Sequence, residues 1–479
     1  TNCGMGFWLP AEQAFDDSLV EWLRLAGTTH LRYPGGTLSD FFDWQKAVGQ
    51  QRQAIPNPFS EPEKGRPEFP HFGPEEFMTL CRRLNIAATI TLNAGTGSAA
   101  DAAAWVKYFR DQNFPVASYA VGNEIYMADK NEPVKELPIH KTPREYVDFY
   151  RQCKAAIDEQ APGTKLGVIG LLDTGNIGLN KHPDWMQTVV GELGDKVDFI
   201  DLHNGYAPVI RASRIGLFSR VYPDDEFAEC FMGASVYVRD NIEQTKAFLA
   251  QSAPEGGRHI ELQITEYGPL VYPIVPKRMA QDAAWNRSLA GALYQACLFN
   301  VFLAEPRLTS ANHLPLCQDV FGALIGIRGA YPQRKTWRNI VYYVVQMYSE
   351  MQHREVLQTE VSAPVYSTRA IGIVPKMRDV PYLDAGAYRT ADGQQLTLFL
   401  INRSAGRDAQ VDIDTGCQPA VVESIRTLAA DSYLAENSPE HPDLVVPRTT
   451  PAPQAGEGRA VRLTVPRHSL AVVSFCREL

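Results

Sequence analysis

Ser118-Tyr-Ala-Val-Gly-Asn-Glu-Ile-Tyr126 is a short, apolar, β-like run that ends in Gly122, Asn123 and Glu124. A carboxylate at the tip of a buried strand, preceded by an amide that can both donate and accept, suits a site where sugars are cleaved by a general acid. Alone the signal is weak, because Asn-Glu after a glycine can equally open a loop and cap the next helix. A second alternating run, Glu261-Leu-Gln-Ile-Thr-Glu-Tyr-Gly268, delivers Glu266 to its end. In a barrel whose strand tips converge on one face, two such carboxylates meet across a substrate.

The stretches on either side supply the rest of such a barrel. Gly4-Met-Gly-Phe-Trp-Leu9 reads as a first strand, and Leu19, Trp22, Leu23 and Ala26 follow at the spacing of one buried helical face. Thr29-His-Leu-Arg-Tyr33 reads as a second strand, stopped by Pro34-Gly35-Gly36. A Pro-rich insertion from Ile55 to Gly73 is too long for an ordinary connection and is expected to shape a rim of the site. Phe77, Leu80, Cys81 and Leu84 mark a helix, Ile86–Leu92 the third strand, and Ala102, Trp105, Val106 and Phe109 another helix; the strand ending in Glu124 is fourth.

Pro143 opens a helix with Tyr146, Phe149, Tyr150, Cys153 and Ile157 on one side, which Pro162-Gly163 ends. Lys165–Ile169 is a fifth strand, Trp185–Leu193 a helix, Val197–Leu202 a sixth strand leading into His203, and Val238, Ile242 and Leu249 mark the next helix. The strand bearing Glu266 is seventh. A long helix from Ala280 to Phe302, an eighth strand at Leu308–Asn312 and a last helix from Trp337 to Met351 complete the series. Eight alternations predict an α/β chain with a closed (β/α)8 TIM barrel over residues 1–353, and no G-x-G-x-x-G or P-loop points to an open nucleotide-binding sheet. From Arg354 the texture changes to short alternating runs such as Leu396–Ile401, Val411–Asp414 and Ala471–Phe475, the pattern of a C-terminal antiparallel β-sandwich over residues 354–479.

Composition limits the partners. A chain of 479 residues that is 45% hydrophobic and 21% charged is globular and long enough for one large and one smaller domain. The net charge of −9 argues against nucleic acid and anionic membranes, and no apolar run is long enough to span a bilayer, so the expected partner is a neutral small molecule or glycan. The eight cysteines are scattered without C-x-x-C spacing; Cys81 and Cys153 read as small buried hydrophobes. Nothing before Phe7-Trp-Leu9 reads as a signal segment, which leaves cytoplasmic and secreted locations both open. Asn286-Arg-Ser288 and Asn402-Arg-Ser404 match the glycosylation sequon, a pattern short enough to arise by chance.

Several motifs occur together in a telling order: Arg32-Tyr-Pro-Gly-Gly36, Phe72-Gly followed by Glu76-Phe-Met and Leu80-Cys81, Asn93-Ala-Gly-Thr-Gly97, Gly122-Asn-Glu124 and Thr265-Glu266. The set resembles family 51 of the glycoside hydrolases, the α-L-arabinofuranosidase type within the clan of (β/α)8 retaining glycosidases. Asn437, Pro442, Val445-Val-Pro447 and Pro466-Arg-His-Ser-Leu470 resemble that family's sandwich domain.

The resemblance implies that Glu124 is the acid/base and Glu266 the nucleophile, with Arg32, Asn93, Asn123, His203, Tyr206 and Tyr267 around the sugar. It implies no metal or organic cofactor, a carbohydrate substrate and a homo-oligomer. A retaining pair needs one protonated and one ionised carboxyl, and Arg32 beside Glu266 would favour the ionised form there. Structural roles remain open for each supporting residue. Arg32 can be a buried ion-pair partner, Asn123 can satisfy strand-end backbone groups, His203 can be a core histidine, Tyr267 can combine packing with donation to Glu266, and Asn93 divides evenly. Phe59, Phe69, Phe72 and Tyr222 are aromatic residues in insertions that could stack on sugar rings.

The chain also departs from the family pattern. Glu266-Tyr267-Gly268 stands where Glu-Trp-Asn is usual, Thr37 follows the Arg-Tyr-Pro-Gly-Gly run, no tryptophan lies in residues 125–130, and the strand-eight glutamine is replaced near Pro315. The N-terminal strands that often complete the sandwich are absent. Such changes alter walls that select the sugar, so β-xyloside, galactofuranoside or β-glucan cleavage, or a non-catalytic glycan-binding barrel, are the alternatives to arabinofuranoside release.

Overall fold

The structure, a computed structural model, describes residues 6–58, 60, 65–127, 139–172, 182–203, 209–210, 223–271, 279–317, 322–371, 374–416, 420–450 and 460–477. Its internal contacts form two compact units: Thr1–Tyr206 with Asn241–Tyr267 and Arg307–His313, and Ala207–Asp240 with Gly268–Pro306 and Leu314–Leu479.

The first unit is built on seven parallel strands, β1 (His30–Tyr33), β2 (Ala87–Leu92), β3 (Val116–Val121), β4 (Leu166–Gly170), β5 (Phe199–Leu202), β6 (Glu261–Tyr267) and β7 (Leu308–His313). Their order in the sheet is their order in the chain, as expected of repeated βα units with right-handed crossovers. Helices Pro74–Leu84, Ala99–Asp111, Pro143–Gln160 and Trp185–Leu193 occupy the connections from β1 to β5. The edge strands β1 and β7 approach each other without a hydrogen-bonded ladder, which makes the barrel nearly closed.

The curvature is visible in the interior. His30 Nε2 lies 2.8 Å from Thr89 Oγ1, Thr89 Oγ1 lies 2.8 Å from Ser118 Oγ, and Ser118 donates to Gln263 Oε1 at 3.1 Å. In a flat sheet the strands of Ser118 and Gln263 would be about 14 Å apart, three strand spacings, so the direct bond requires the sheet to curl.

Eight strands were expected, and among the described residues the barrel sheet has seven. The described part of the first expected strand, residues 6–9, does not join it. Trp8–Leu9 instead pair antiparallel with Ala14–Phe15, because Gly6 (φ 91°) and Gln13 (φ 49°) turn the backbone where a barrel strand would have to stay extended.

Local signals explain the helix boundaries. Thr142 and Ser98 each form a capping box, with Glu145 and Asp101 respectively, and Pro143 supplies the first helical residue. Asn85 ends the helix Pro74–Leu84 in the left-handed conformation at φ 55°. The long helix expected over Ala280–Phe302 is two helices, Met279–Arg287 and Leu289–Leu303. Ser288 is extended between them, and its hydroxyl accepts from Gly291 N at 3.3 Å as the second helix's cap. The last expected helix starts later, at Ile340: Trp337 lies in a strand, Lys335–Arg338, paired with Ile325–Arg328.

In the second unit the C-terminal segment forms a six-stranded antiparallel sheet with strand order Glu355–Leu357, Leu383–Arg389, Gln395–Asn402, Ser469–Arg477, Ala420–Leu428, Arg448–Thr450. A two-stranded ribbon, Ala409–Asp414 with Ala460–Val465, packs on it through Leu398, Leu400, Val411, Ile413, Leu463, Val473 and Phe475. The alternation read in the sequence is thus the inward face of a two-layer sandwich. Asn286 and Asn402 of the sequon matches are both 1% exposed and bond to backbone groups of Val271, and of Arg407 and Val465, so the folded chain presents neither for glycosylation. Cys81 and Cys153 are fully buried free thiols, and burial pushes the latter up to about 12. No described helix is long and apolar enough to cross a membrane.

Candidate active site

Strand β3 delivers Glu124 through a constrained turn. Gly122 N donates to Leu92 O at 2.9 Å, and its φ of 82° is one that glycine adopts freely. A Cβ at this position would also fall 2.7 Å from Ala94 Cβ. Glu124 itself sits at φ 32°, an unusual value for a residue with a side chain and one that surrounding structure must enforce. Enforcement comes from the next two residues, both fully buried: Ile125 O accepts from Lys141 N at 3.0 Å, and the ring of Tyr126 meets Trp185 edge-on. The backbone N–H of Asn123 donates to Oδ1 of the buried Asp40 at 3.2 Å.

Arg32, on β1, joins the two glutamate-bearing strand ends. Its three nitrogens are all engaged: Nε donates to Thr91 Oγ1 at 3.0 Å, Nη1 to Glu266 Oε1 at 2.8 Å and Nη2 to Asn123 Oδ1 at 2.8 Å. The guanidinium side chain is only 4% exposed and Glu266 is 20% exposed, so this pair is shielded on one side and open to solvent on the other. A planar fork with fixed donor directions is the side chain able to hold a carboxylate and a neighbouring amide at once. It holds Glu266 directly, and Glu124 through the residue before it.

Across the site, β5 contributes a buried acid that sequence reading passed over. Asp201 is fully buried; its Oδ1 accepts from Thr265 N at 3.1 Å, and its Oδ2 from Thr265 Oγ1 at 2.7 Å and from His203 Nε2 at 3.2 Å. The other ring nitrogen of His203 lies 3.3 Å from Glu124 Oε1. Burial alone would lower the His203 imidazole, but the charge and hydrogen bond of Asp201, followed by those of Glu124, outweigh it and raise the group to about 10. Burial likewise opposes the charge on Asp201, and the adjoining His203, Arg32 and Thr265 reverse that, leaving it below the usual carboxylate range. The phenol of Tyr126 is raised by burial and further by the charges of Glu124, Asp201 and Glu266.

Of the residues expected around the sugar, the structure brings Arg32, Asn123 and His203 together with both glutamates. Asn93 is nearby but its amide is spent on its own loop, accepting from the backbone N–H groups of Gly95, Thr96 and Gly97 and donating to Phe42 O and Thr96 Oγ1. Tyr267 is 3% exposed and meets the ring of His313 edge-on. Tyr206 lies outside the described residues, as do Phe59 and Tyr222. Phe72 packs edge-on against Phe15 and Tyr33, whereas Phe69 is exposed. Thr91, Asp40, Asp201 and Thr265 were missed. Asp201 left a signal, a charge between Ile200 and Leu202 in the apolar strand Phe199–Leu202, because strand interiors bury charge only where it is paired. Among the described residues no cluster of three or more His, Cys, Asp or Glu could hold a metal ion.

A βα barrel with two strand-end glutamates around a shared arginine defines a glycoside hydrolase of the barrel type. Two family descriptions match the chain, the α-L-arabinofuranosidase 1 domain over residues 23–176 and the α-L-arabinofuranosidase C-terminal domain over residues 272–469. An intracellular exo-α-L-arabinofuranosidase of Bacteroides ovatus is 23% identical, the alignment covering 98% of this chain and 87% of the relative. A probable α-L-arabinofuranosidase C of Aspergillus clavatus is also 23% identical, over 98% of this chain and 90% of the relative. The crystal structure of a family 51 arabinofuranosidase from Xanthomonas axonopodis shares the fold, with a TM-score of 0.78 at 19% identity over 98% of this chain and 93% of that one. The chain belongs to the α-L-arabinofuranosidases of glycoside hydrolase family 51.

Proposed function

We propose that this chain releases terminal α-L-arabinofuranosyl residues from a neutral glycan by double displacement, with Glu266 as nucleophile and Glu124 as acid/base. The observation that carries the assignment is the Arg32 fork, which bonds Glu266 and the residue preceding Glu124 at 2.8 Å each. The guanidinium bonded to Glu266 Oε1 restrains the direction from which the carboxylate attacks the anomeric carbon. Glu124, 23% exposed, keeps access to the leaving oxygen while His203 and the buried Ile125–Tyr126 segment hold its backbone and one carboxylate oxygen. In the first step Glu124 donates its proton to the departing oxygen as the Glu266–sugar bond forms. In the second it takes a proton from the water that releases the sugar, and Glu266 departs as a carboxylate.

Asn123 and His203 are assigned to the sugar subsite, and Tyr206 and Tyr267 to its walls, by the family resemblance. The saturated amide of Asn93 supports a role in shaping the loop beside the site. The same reading takes residues 1–353 as the catalytic domain and 354–479 as the sandwich, and expects several copies to assemble, which light scattering measures.

Hydrolysis of aryl α-L-arabinofuranoside, β-D-xyloside, β-D-galactofuranoside and β-D-glucoside by the native chain and by Glu266→Ala tests the reaction and the sugar together. Arabinofuranoside cleavage that vanishes in the variant is the expected result. Turnover of another glycoside instead would replace the sugar, and full activity of Glu266→Ala would remove the nucleophile assignment.

A further inference from the structure

Asp201, like Asp40, is a fully buried acid of the site that neither carboxylate role uses, and it is the one bonded to His203. Residues 201 and 203 are two apart at the end of β5, so their side chains share a face, and that face looks across to Glu124. The result is a continuous line of short contacts: Thr265 N and Oγ1 to Asp201, Asp201 Oδ2 to His203 Nε2 at 3.2 Å, and His203 Nδ1 to Glu124 Oε1 at 3.3 Å. Thr265 is also the residue before Glu266, so the line begins on the strand of one glutamate and ends on the other.

We propose that Asp201 is a positioning residue for the acid/base step: it anchors the His203 ring as a donor from both nitrogens, so that His203 holds one oxygen of Glu124 in place. The inference deepens, and rests on, the reading of Glu124 as acid/base. A buried carboxylate is costly unless paired, and here its counter-charge is the imidazolium it orients. The two together are close to neutral. What reaches Glu124 is a fixed N–H donor with a cation behind it, which favours the carboxylate form that Glu124 must regain to activate water in the second step.

The charged and titratable groups facing His203 among the described residues are Asp201 and Glu124 directly. Arg32 and Glu266 lie beyond them on β1 and β6, and the phenols of Tyr126 and Tyr146, both raised by burial, feel the charge of Asp201. Asp201→Asn keeps the size and one acceptor but removes the counter-charge. The buried ring then becomes neutral, its Nε2–H still donating to the residue at 201, and its Nδ1 turns from donor into acceptor towards Glu124. Glu124 therefore keeps its proton to higher pH and loses its grip.

The test is the pH profile of kcat/KM for native protein, Asp201→Asn and His203→Gln on 2,4-dinitrophenyl and phenyl α-L-arabinofuranosides. The expected result is a basic limb about one pH unit higher or more in both variants. The loss should be at least about tenfold larger on the phenyl substrate, whose leaving group needs the proton, than on the dinitrophenyl one. Equal losses on both substrates with limbs in place would mean a merely structural Asp201 and overturn the inference. If Asp201→Asn does not fold, the limb of His203→Gln decides in the same way. Glu124→Ala with added azide separates the two levels. Azide-restored turnover alongside unmoved limbs removes only the Asp201 role, whereas absence of azide rescue removes Glu124 as acid/base and the inference with it.

Discussion

Replacing Arg32 by lysine isolates the geometry of the fork, because the charge is kept and the directions are lost. Arg32 places its three nitrogens on Thr91, Glu266 and Asn123 at 3.0, 2.8 and 2.8 Å. An ammonium on a flexible stem can keep the contact with Glu266 and must give up the other two. Each is a hydrogen bond from a charged donor in a buried place, worth about 1.5–3 kcal/mol, so the loss is about 3–6 kcal/mol, shared between folding and the transition state.

If half of it falls on the transition state, kcat/KM drops by about 10–100-fold at 1.4 kcal/mol per tenfold, and misdirection of Glu266 adds to that. The assay is steady-state hydrolysis of 4-nitrophenyl α-L-arabinofuranoside beside a thermal melt, with Arg32→Met as the uncharged comparison. Lysine should recover part of what methionine loses in stability and little of what it loses in kcat. An Arg32→Lys enzyme within threefold of native kcat/KM would refute the claim that the fork orients the pair, leaving charge alone as its role.

Gly122→Ala should cost at least about 1 kcal/mol, since φ 82° disfavours any Cβ and this one would lie 2.7 Å from Ala94 Cβ. Because Asn123 and Glu124 follow directly, kcat should fall with the melting temperature; native values of both would show that the turn relaxes freely. His30, half-buried at the start of β1, is lowered by burial to about 4. It is a base with a depressed value, so the unfolded chain takes up a proton below pH 6.5 that the folded chain refuses down to about 4. Stability from this group is present above 6.5 and is lost as pH falls through that window, by at most about 3 kcal/mol. Urea titrations at pH 7 and 4.5 should show a smaller loss in His30→Gln than in the native chain, and an equal loss would remove His30 as the cause.

Much of the barrel was legible because its signals are local and periodic. Alternating apolar runs and helical stripes placed seven strands correctly, and Pro143, Thr142 and Ser98 marked helix starts by capping chemistry that needs no distant partner. Errors arose where backbone dihedrals or a single side chain override the pattern. Gly6 and Gln13 turn the expected first strand into a short ribbon, and Ser288 splits what reads as one apolar helix. Trp337 belongs to a strand, although the apolar run that begins at Ile340 makes it read as the start of a helix, because it pairs with Gly326 in the preceding strand Ile325–Arg328.

The site divides in the same way. The glutamates announced themselves as charges at the ends of apolar runs, and motif order alone tied the chain to its family. The roles of Asp201, Thr265, Thr91 and Asp40 were not legible in the sequence, since each depends on a residue far away in the chain and close in space: Asp201 on Thr265, Thr91 on Arg32, Asp40 on Asn123. The sequence by itself determined the alternation of strands and helices, the two carboxylates and the family, because periodicity, capping and motif order are written in neighbouring residues. Only the tertiary structure decided which buried charges face one another, because pairing a charge away from water depends on distances between strands that the chain order does not contain.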